Sequence, residues 1–149
     1  MTSADEAAIE GVVLDYFEGW FEGDGERMER ALHPELAKRF LGGDERWWGE
    51  SQHGVELERL DSTSAREMID ATVKGVGKTR LPDGVDPRIE VEIADVYETI
   101  ASVTVRSVVY REYVHLVRTG QGWKIANTVW QRTRLADPME GGDPYEVTV

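Results

Sequence analysis

The chain has 149 residues, enough for one domain with a real hydrophobic core, and 40% of them are hydrophobic, which excludes a disordered chain. It contains no cysteine, so disulfides, thiolate metal sites and a cysteine nucleophile are excluded. With 29 acidic against 17 basic residues the formal charge is −12, and such a surface repels nucleic-acid backbones and anionic membranes.

The basic residues are 13 Arg and 4 Lys, a lysine-poor balance that suits a high-salt cytosol and ordinary solubility charge equally well. The opening Met-Thr-Ser-Ala-Asp-Glu lacks the basic and apolar regions of a signal peptide. No apolar run approaches the roughly 20 residues that span a bilayer, so the expected location is the cytoplasm.

Ile9, Val12, Val13, Tyr16, Phe17, Trp20 and Phe21 recur at the spacing of one wide helical face. Ser3 with Glu6 can form a capping box at the start of this helix, and Gly23 is a natural stop. Asp24 can cap a short second helix carrying Met28, Ala31 and Leu32. Pro34 ends it and pushes His33 toward an extended conformation at the helix end. Residues 36–41 and 55–60 read as short strands around a loop that holds Trp47 and Trp48.

Ser64 with Glu67 offers a further capping box, ahead of a third helix whose apolar face is Ala65, Met68, Ile69, Thr72, Val73 and Val76. Gly75 and Gly77 end that helix, and residues 78–87 form a loop. From Arg88 the period changes to two. Four strands follow, with turns near Glu98-Thr99, at Tyr110-Arg111 and at Gly120 to Gly122. The last hairpin, residues 111–132, carries large apolar groups on both faces and is expected to be the central pair of the sheet. Helices followed by strands predict an α+β domain over residues 1–149, with an antiparallel meander and a loose acidic tail over 136–149.

At this point two segments resemble a known family. VVLDYFEGWFEGDGERMERALHPEL resembles the opening of the nuclear transport factor 2-like superfamily: a long helix, a Gly-Asp turn, a short helix and a His-Pro. EYVHLVRTGQGWKIANTVWQ resembles the final hairpin of its putative lumazine-binding branch, a neighbour of the SnoaL-like polyketide cyclases. With IADVYETIASVTV between them, these segments cover roughly half of the chain. The resemblance implies a cystatin-like cone, a strongly bent sheet closed by helices over a concave pocket. It also implies homodimers paired through the outer sheet face. The superfamily includes isomerases, dehydratases, cyclases and domains that only bind, so the fold leaves function open.

Tyr16 matches the tyrosine that donates to the oxyanion in ketosteroid isomerases, which share this fold. The carboxylate base of those enzymes has no match here; Phe40 lies near its place. The bland reading of Tyr16 is a core tyrosine bonded to backbone. His33 is a candidate general base, against the common histidine that caps its own helix. His115, a second candidate base, alternates with Val114 and Leu116 and faces either the pocket or a dimer. His53 sits in a polar loop and reads as solvated.

Asn127 shares its expected face with Trp123, Ile125 and Val129, and a lone amide there must find partners or line an opening. Trp20, Phe40, Trp47, Trp48 and Trp130 can stack on a flat ring, with core packing as the plain alternative. Met68 and Tyr113 complete the expected ligand-binding set. Histidine spacing gives no metal motif, no Gly-x-Ser-x-Gly elbow is present, and no cofactor motif is found.

The expected function is binding of a small apolar or ring-shaped ligand in the concave face, without cofactor, by a homodimer. The alternative is an acid/base enzyme of the isomerase, dehydratase or cyclase type using Tyr16 with His33 or His115. A third reading is an interaction module whose cavity its own side chains fill. The sharpest expectation is that Tyr16, His33 and Asn127 converge on one cavity.

Overall fold

The computed structural model describes residues 2–42, 48–50 and 56–133. Trp47, His53 and the acidic tail therefore lie outside the described residues, as does the side chain of Trp48.

Helix α1 (Ser3–Glu22) buries Ile9, Val13, Tyr16 and Phe17 along its apolar stripe. Its cap is Thr2 rather than Ser3, because the Thr2 hydroxyl reaches the Asp5 amide and Ser3 is already helical. Gly23 ends the helix in the left-handed conformation, φ 73°. Asp24 then caps α2 (Gly25–Ala31), accepting from the Arg27 amide. The two helices are tied across their junction: Asp15 accepts from both Arg27 and Arg30 at 3.0 Å. These guanidinium bonds, Arg30 foremost, hold the Asp15 carboxyl below its ordinary range.

The strands are β1 (Leu32–Leu41), β2 (Trp48–Glu50), β3 (Glu56–Glu58), β4 (Leu60–Thr63), β5 (Glu90–Tyr97), β6 (Ile100–Arg106), β7 (Tyr110–Thr119) and β8 (Gly122–Arg132). Strand β1 starts directly after α2, four residues earlier than its expected start, so His33 lies within a strand and not at a helix end. The region expected as one strand over 55–60 is divided into β3 and β4. Helix α3 (Ala65–Val73) has the full Ser64–Glu67 capping box, and a short 3-10 helix η1 (Gly77–Arg80) follows it. The turn expected at Tyr110-Arg111 falls earlier, where Ser107 bonds back to Tyr110.

Six strands form a curved sheet in the order β4-β1-β8-β7-β6-β5, and β2 pairs only with β3. Every pairing in the large sheet is antiparallel except β1 with β8, which is parallel. The expected meander thus covers β5 to β8, while the outer seam differs because no tight turn joins β1 to β8 and sets their direction. Two one-residue irregularities, at Ala94 in β5 and Ala126 in β8, interrupt the ladders. Such bulges bend a strand and increase its twist. The helices lie over one face of the sheet, and the core there includes Met28, Leu32, Val103, Val114, Leu116 and Ile125. Among the described residues no helix is long and apolar enough to cross a membrane.

Candidate functional site

Register decides which side chains meet under the helices. In the parallel seam Lys38 lies opposite Thr128, and Thr128 lies opposite Val114 on β7. One step along, Trp130 lies opposite Glu112. Lys38 and Glu112 are both buried, at 7% and 2% exposure. Each occupies the apolar register of its strand, where α1 covers the sheet.

Tyr16 descends from α1 onto this pair. Its phenol donates to Glu112 Oε2 at 2.5 Å, and Lys38 Nζ donates to Tyr16 Oη and to the same carboxylate oxygen, the latter at 3.1 Å. The ammonium also stands 5.0 Å from the centroids of the Tyr16 and Trp130 rings. Burial pushes the Tyr16 phenol well above its ordinary value, and the Glu112 charge adds to this, so the phenol keeps its proton. Burial lowers the Lys38 ammonium, against the opposing pull of Glu112. Two of the three ammonium N–H groups are used, and the third has no acceptor among the described residues.

Around this cluster opens a cavity of about 290 Å³. Phe17, Trp20, Phe40, Met68 and Trp130 supply its apolar wall, and Ala71 and Thr63 complete one side. Phe40 and Trp130 pack at 4.6 Å between centroids, and Trp130 meets Tyr110 edge-on at 5.4 Å. Trp20 Nε1 donates to Tyr110 Oη at 3.0 Å. Trp130 Nε1 and Thr128 Oγ1 are buried without a hydrogen-bond partner. The Thr128 hydroxyl lies close enough to act on the Tyr16 phenol, yet no bond of good geometry closes between them. A larger groove of about 450 Å³ runs between α1 and residues 81–89, but the buried charged cluster does not reach it.

Of the residues singled out in the sequence, Tyr16, Trp20, Phe40, Met68 and Trp130 line this cavity. The others that can be located do not. His33 is near the start of β1, where its Nδ1 accepts from the Glu35 amide at 3.0 Å, away from the cavity. Tyr113 and His115 are exposed on the convex face, since the inward register of β7 is Tyr110, Glu112, Val114 and Leu116. Asn127 faces the convex side too, its amide 2.9 Å from His115 Nδ1. The physical reason is Ala126, the extra residue between the Leu116–Ile125 and His115–Asn127 pairs. It reverses the parity of β8, so Trp123 and Ile125 point inward before it, and Thr128 and Trp130 after it. The expected convergence of Tyr16, His33 and Asn127 therefore fails.

The residues that sequence reasoning missed are Lys38, Glu112, Tyr110, Arg80 and Arg132. A signal for two of them was present: Leu36-x-Lys38-x-Phe40 and Tyr110-x-Glu112-x-Val114 each put one charge in an apolar alternation. A buried charge needs a partner, and each is the other's. Among the described residues no three His, Cys, Asp or Glu side chains gather as metal ligands.

The fold recurs in solved structures of low identity. An NTF2-like protein of unknown function from Silicibacter pomeroyi is 16% identical, with a TM-score of 0.63 over 89% of this chain and 100% of that one. One from Shewanella baltica gives 16% and 0.58, over 89% and 98%. A ketosteroid isomerase-like protein from Erwinia carotovora atroseptica gives 13% and 0.54, over 88% and 98%. Identities this low establish the fold alone, that of the nuclear transport factor 2-like superfamily. Among curated proteins none matches. The family model described as putative lumazine-binding matches residues 4–131, well over half of the chain, and the chain belongs to that family.

Proposed function

We propose that this protein binds a small, ring-shaped, largely apolar ligand in the concave cavity, with Lys38 meeting a polar edge of the ring. The observation that carries this is the apolar cavity whose deep polar cluster is bonded within itself, apart from one Lys38 N–H and Glu112 Oε1. A few placed polar groups in an apolar wall are what a binding pocket needs. The volume is near the lower end of the roughly 300–1,000 Å³ typical of ligand sites, which favours a ligand of two or three fused rings. Trp20, Phe40 and Met68 would cover its body.

A pteridine of the lumazine type is the first ligand to titrate, because the family takes its description from one. Saturable quenching of tryptophan emission is expected, from Trp20 and Trp130 in the wall. Ala71→Phe, which fills the cavity from α3, should weaken binding at least about tenfold while circular dichroism stays unchanged. If flat ring ligands give no saturable quenching, the binding reading fails.

Glu112 supports a second reading, a proton-transfer enzyme of the isomerase, dehydratase or cyclase type. It supplies the carboxylate that the resemblance left without a match, 2.5 Å from the Tyr16 phenol. Binding is favoured because the phenol proton is committed to Glu112 and Lys38 pairs with that carboxylate, which weakens it as a base. Deuterium uptake by an enolisable ring ketone in D₂O would turn the choice toward catalysis.

We also propose that two copies pair through the convex face. Tyr113 and Val129 are cross-strand neighbours there, 54% and 55% exposed, with Ile100 exposed two strands across from β8. Both faces of the β7–β8 hairpin are apolar and the helices cover one. Sedimentation at micromolar concentration should return twice 16.8 kDa, and Tyr113→Glu should return the single mass. A wild-type monomer would remove the dimer.

A further inference from the structure

Lys38 differs from every other lysine of the chain. Lys74, Lys78 and Lys124 all keep contact with solvent. Lys38 is buried, its side chain 8% exposed, and it lines the apolar cavity. Taking an ammonium out of water is costly, and a wall that only had to cover an apolar ring is better served by an apolar side chain.

The groups around Nζ are those that amine chemistry on a carbonyl requires. Glu112 Oε2, at 3.1 Å, is placed to take a proton from the ammonium and to return it. Tyr16 Oη accepts from the same nitrogen and donates to the same carboxylate oxygen, so it holds the two together. The Tyr16 and Trp130 rings stand 5.0 Å from Nζ and shield it. Burial lowers the Lys38 ammonium from its ordinary value, against the pull of Glu112, and so eases release of a proton. A lysine desolvated in an apolar pocket is an activated nucleophile.

We infer that Lys38 is a nucleophile that captures a ring-shaped aldehyde or ketone in the cavity as a covalent imine. The inference rests on the binding reading above and names the ligand's reactive group. Lys38 first gives one proton to Glu112, and the freed lone pair forms a C–N bond to the carbonyl carbon. The carbonyl π pair moves to oxygen, which takes that proton. The nitrogen then passes a second proton to Glu112, leaving a neutral carbinolamine. Glu112 gives this proton to the hydroxyl, the C–O bond breaks, and water leaves as the nitrogen lone pair closes the C=N bond. The net change is carbonyl plus ammonium to protonated imine plus one water, with no oxidant or reductant. Glu112 ends as a carboxylate beside the new cation, so the pairing of charges is kept.

The test treats the full chain with 2-naphthaldehyde and sodium cyanoborohydride, which reduces an imine to a stable secondary amine. Peptide mass spectrometry should find at least about tenfold more naphthylmethyl adduct on Lys38 than on Lys74, Lys78 or Lys124. Excess 2-naphthylmethanol, a ring of the same shape without a carbonyl, should suppress the Lys38 adduct at least about fivefold and leave the other lysines unchanged. If the alcohol quenches tryptophan emission saturably and Lys38 is labelled no more than the others, the nucleophile is overturned and the binding reading stands. If Lys38 is labelled but the alcohol does not compete, the ring-shaped substrate is overturned. If the alcohol does not bind and Lys38 stays unlabelled, the inference falls together with the reading beneath it.

Discussion

Glu112→Gln should cost the fold about 3–5 kcal/mol, a fall in Tm of about 10 °C, because it strands the Lys38 charge in an apolar cavity. Glu112 and Lys38 are 3% and 8% exposed at their side chains, so water cannot replace the lost carboxylate. The amide still accepts from Tyr16, yet it cannot neutralise an ammonium. The cost should depend on pH with a definite sign. Burial already lowers the folded-state pKa of Lys38, and removing Glu112 removes the opposing pull. Between the folded pKa and the unfolded value of 10.5 the unfolded chain binds the extra proton, so stability rises with pH across that window. The variant should therefore recover part of its loss between neutral pH and pH about 9.5.

A double variant separates the pair from its parts. Lys38→Met/Glu112→Leu replaces both charges with apolar groups of similar size and should recover to within about 1–3 kcal/mol of the wild type, the remainder being the Tyr16 hydroxyl left without its partners. Urea denaturation of the two single variants and the double variant gives the coupling free energy directly. A loss below about 1 kcal/mol for Glu112→Gln would mean that water reaches the pair and that the cluster is not the polar floor of a dry pocket. The same variants bear on function. If Lys38 meets the ligand's polar edge, the double variant will be stable and yet bind weakly.

The second large effect is expected at Gly77, where the backbone of η1 lies against α1. A Cβ at this position would stand 2.1 Å from the Trp20 carbonyl oxygen and 2.7 Å from its ring. The first obstacle is main chain, so no rotamer change relieves it. Gly77→Ala should cost about 3 kcal/mol, the upper end of overpacking, and η1 should separate from α1. Trp20 and Arg80 would move with it, so ligand affinity should fall together with stability. Gly11→Ala is the matched control: its Cβ meets nothing within 4 Å and it lies within α1. That change should stabilise by about 0.5–1 kcal/mol through the unfolded chain and helix propensity. Thermal melts of the two variants should move in opposite directions; a common direction would mean that the η1 contact does not constrain the fold.

Much of the architecture was readable from residue order, and the reason is that it is local. The stripe of Ile9, Val13, Tyr16 and Phe17 repeats at the helical period whatever lies beneath it. The Ser64–Glu67 box closes within four residues, and the β7–β8 hairpin turns over Gly120-Gln121 with Thr119 opposite Gly122. Tyr16, Trp20, Phe40 and Met68 were legible as cavity candidates because helix face and aromatic character are local as well. The pocket's polar floor was not legible. Lys38 and Glu112 are 74 residues apart, and two strands flanking β8 bring them together only once the parallel seam has formed. Alternation alone could not show that Ala126 interrupts the ladder, so it put Asn127 inside and left Thr128 outside. A one-residue bulge reverses every side chain after it, and it belongs to the bending of the whole sheet rather than to any local pattern of residues. Periodicity therefore determined which elements form, while strand pairing and the bulge decided which polar groups face the cavity.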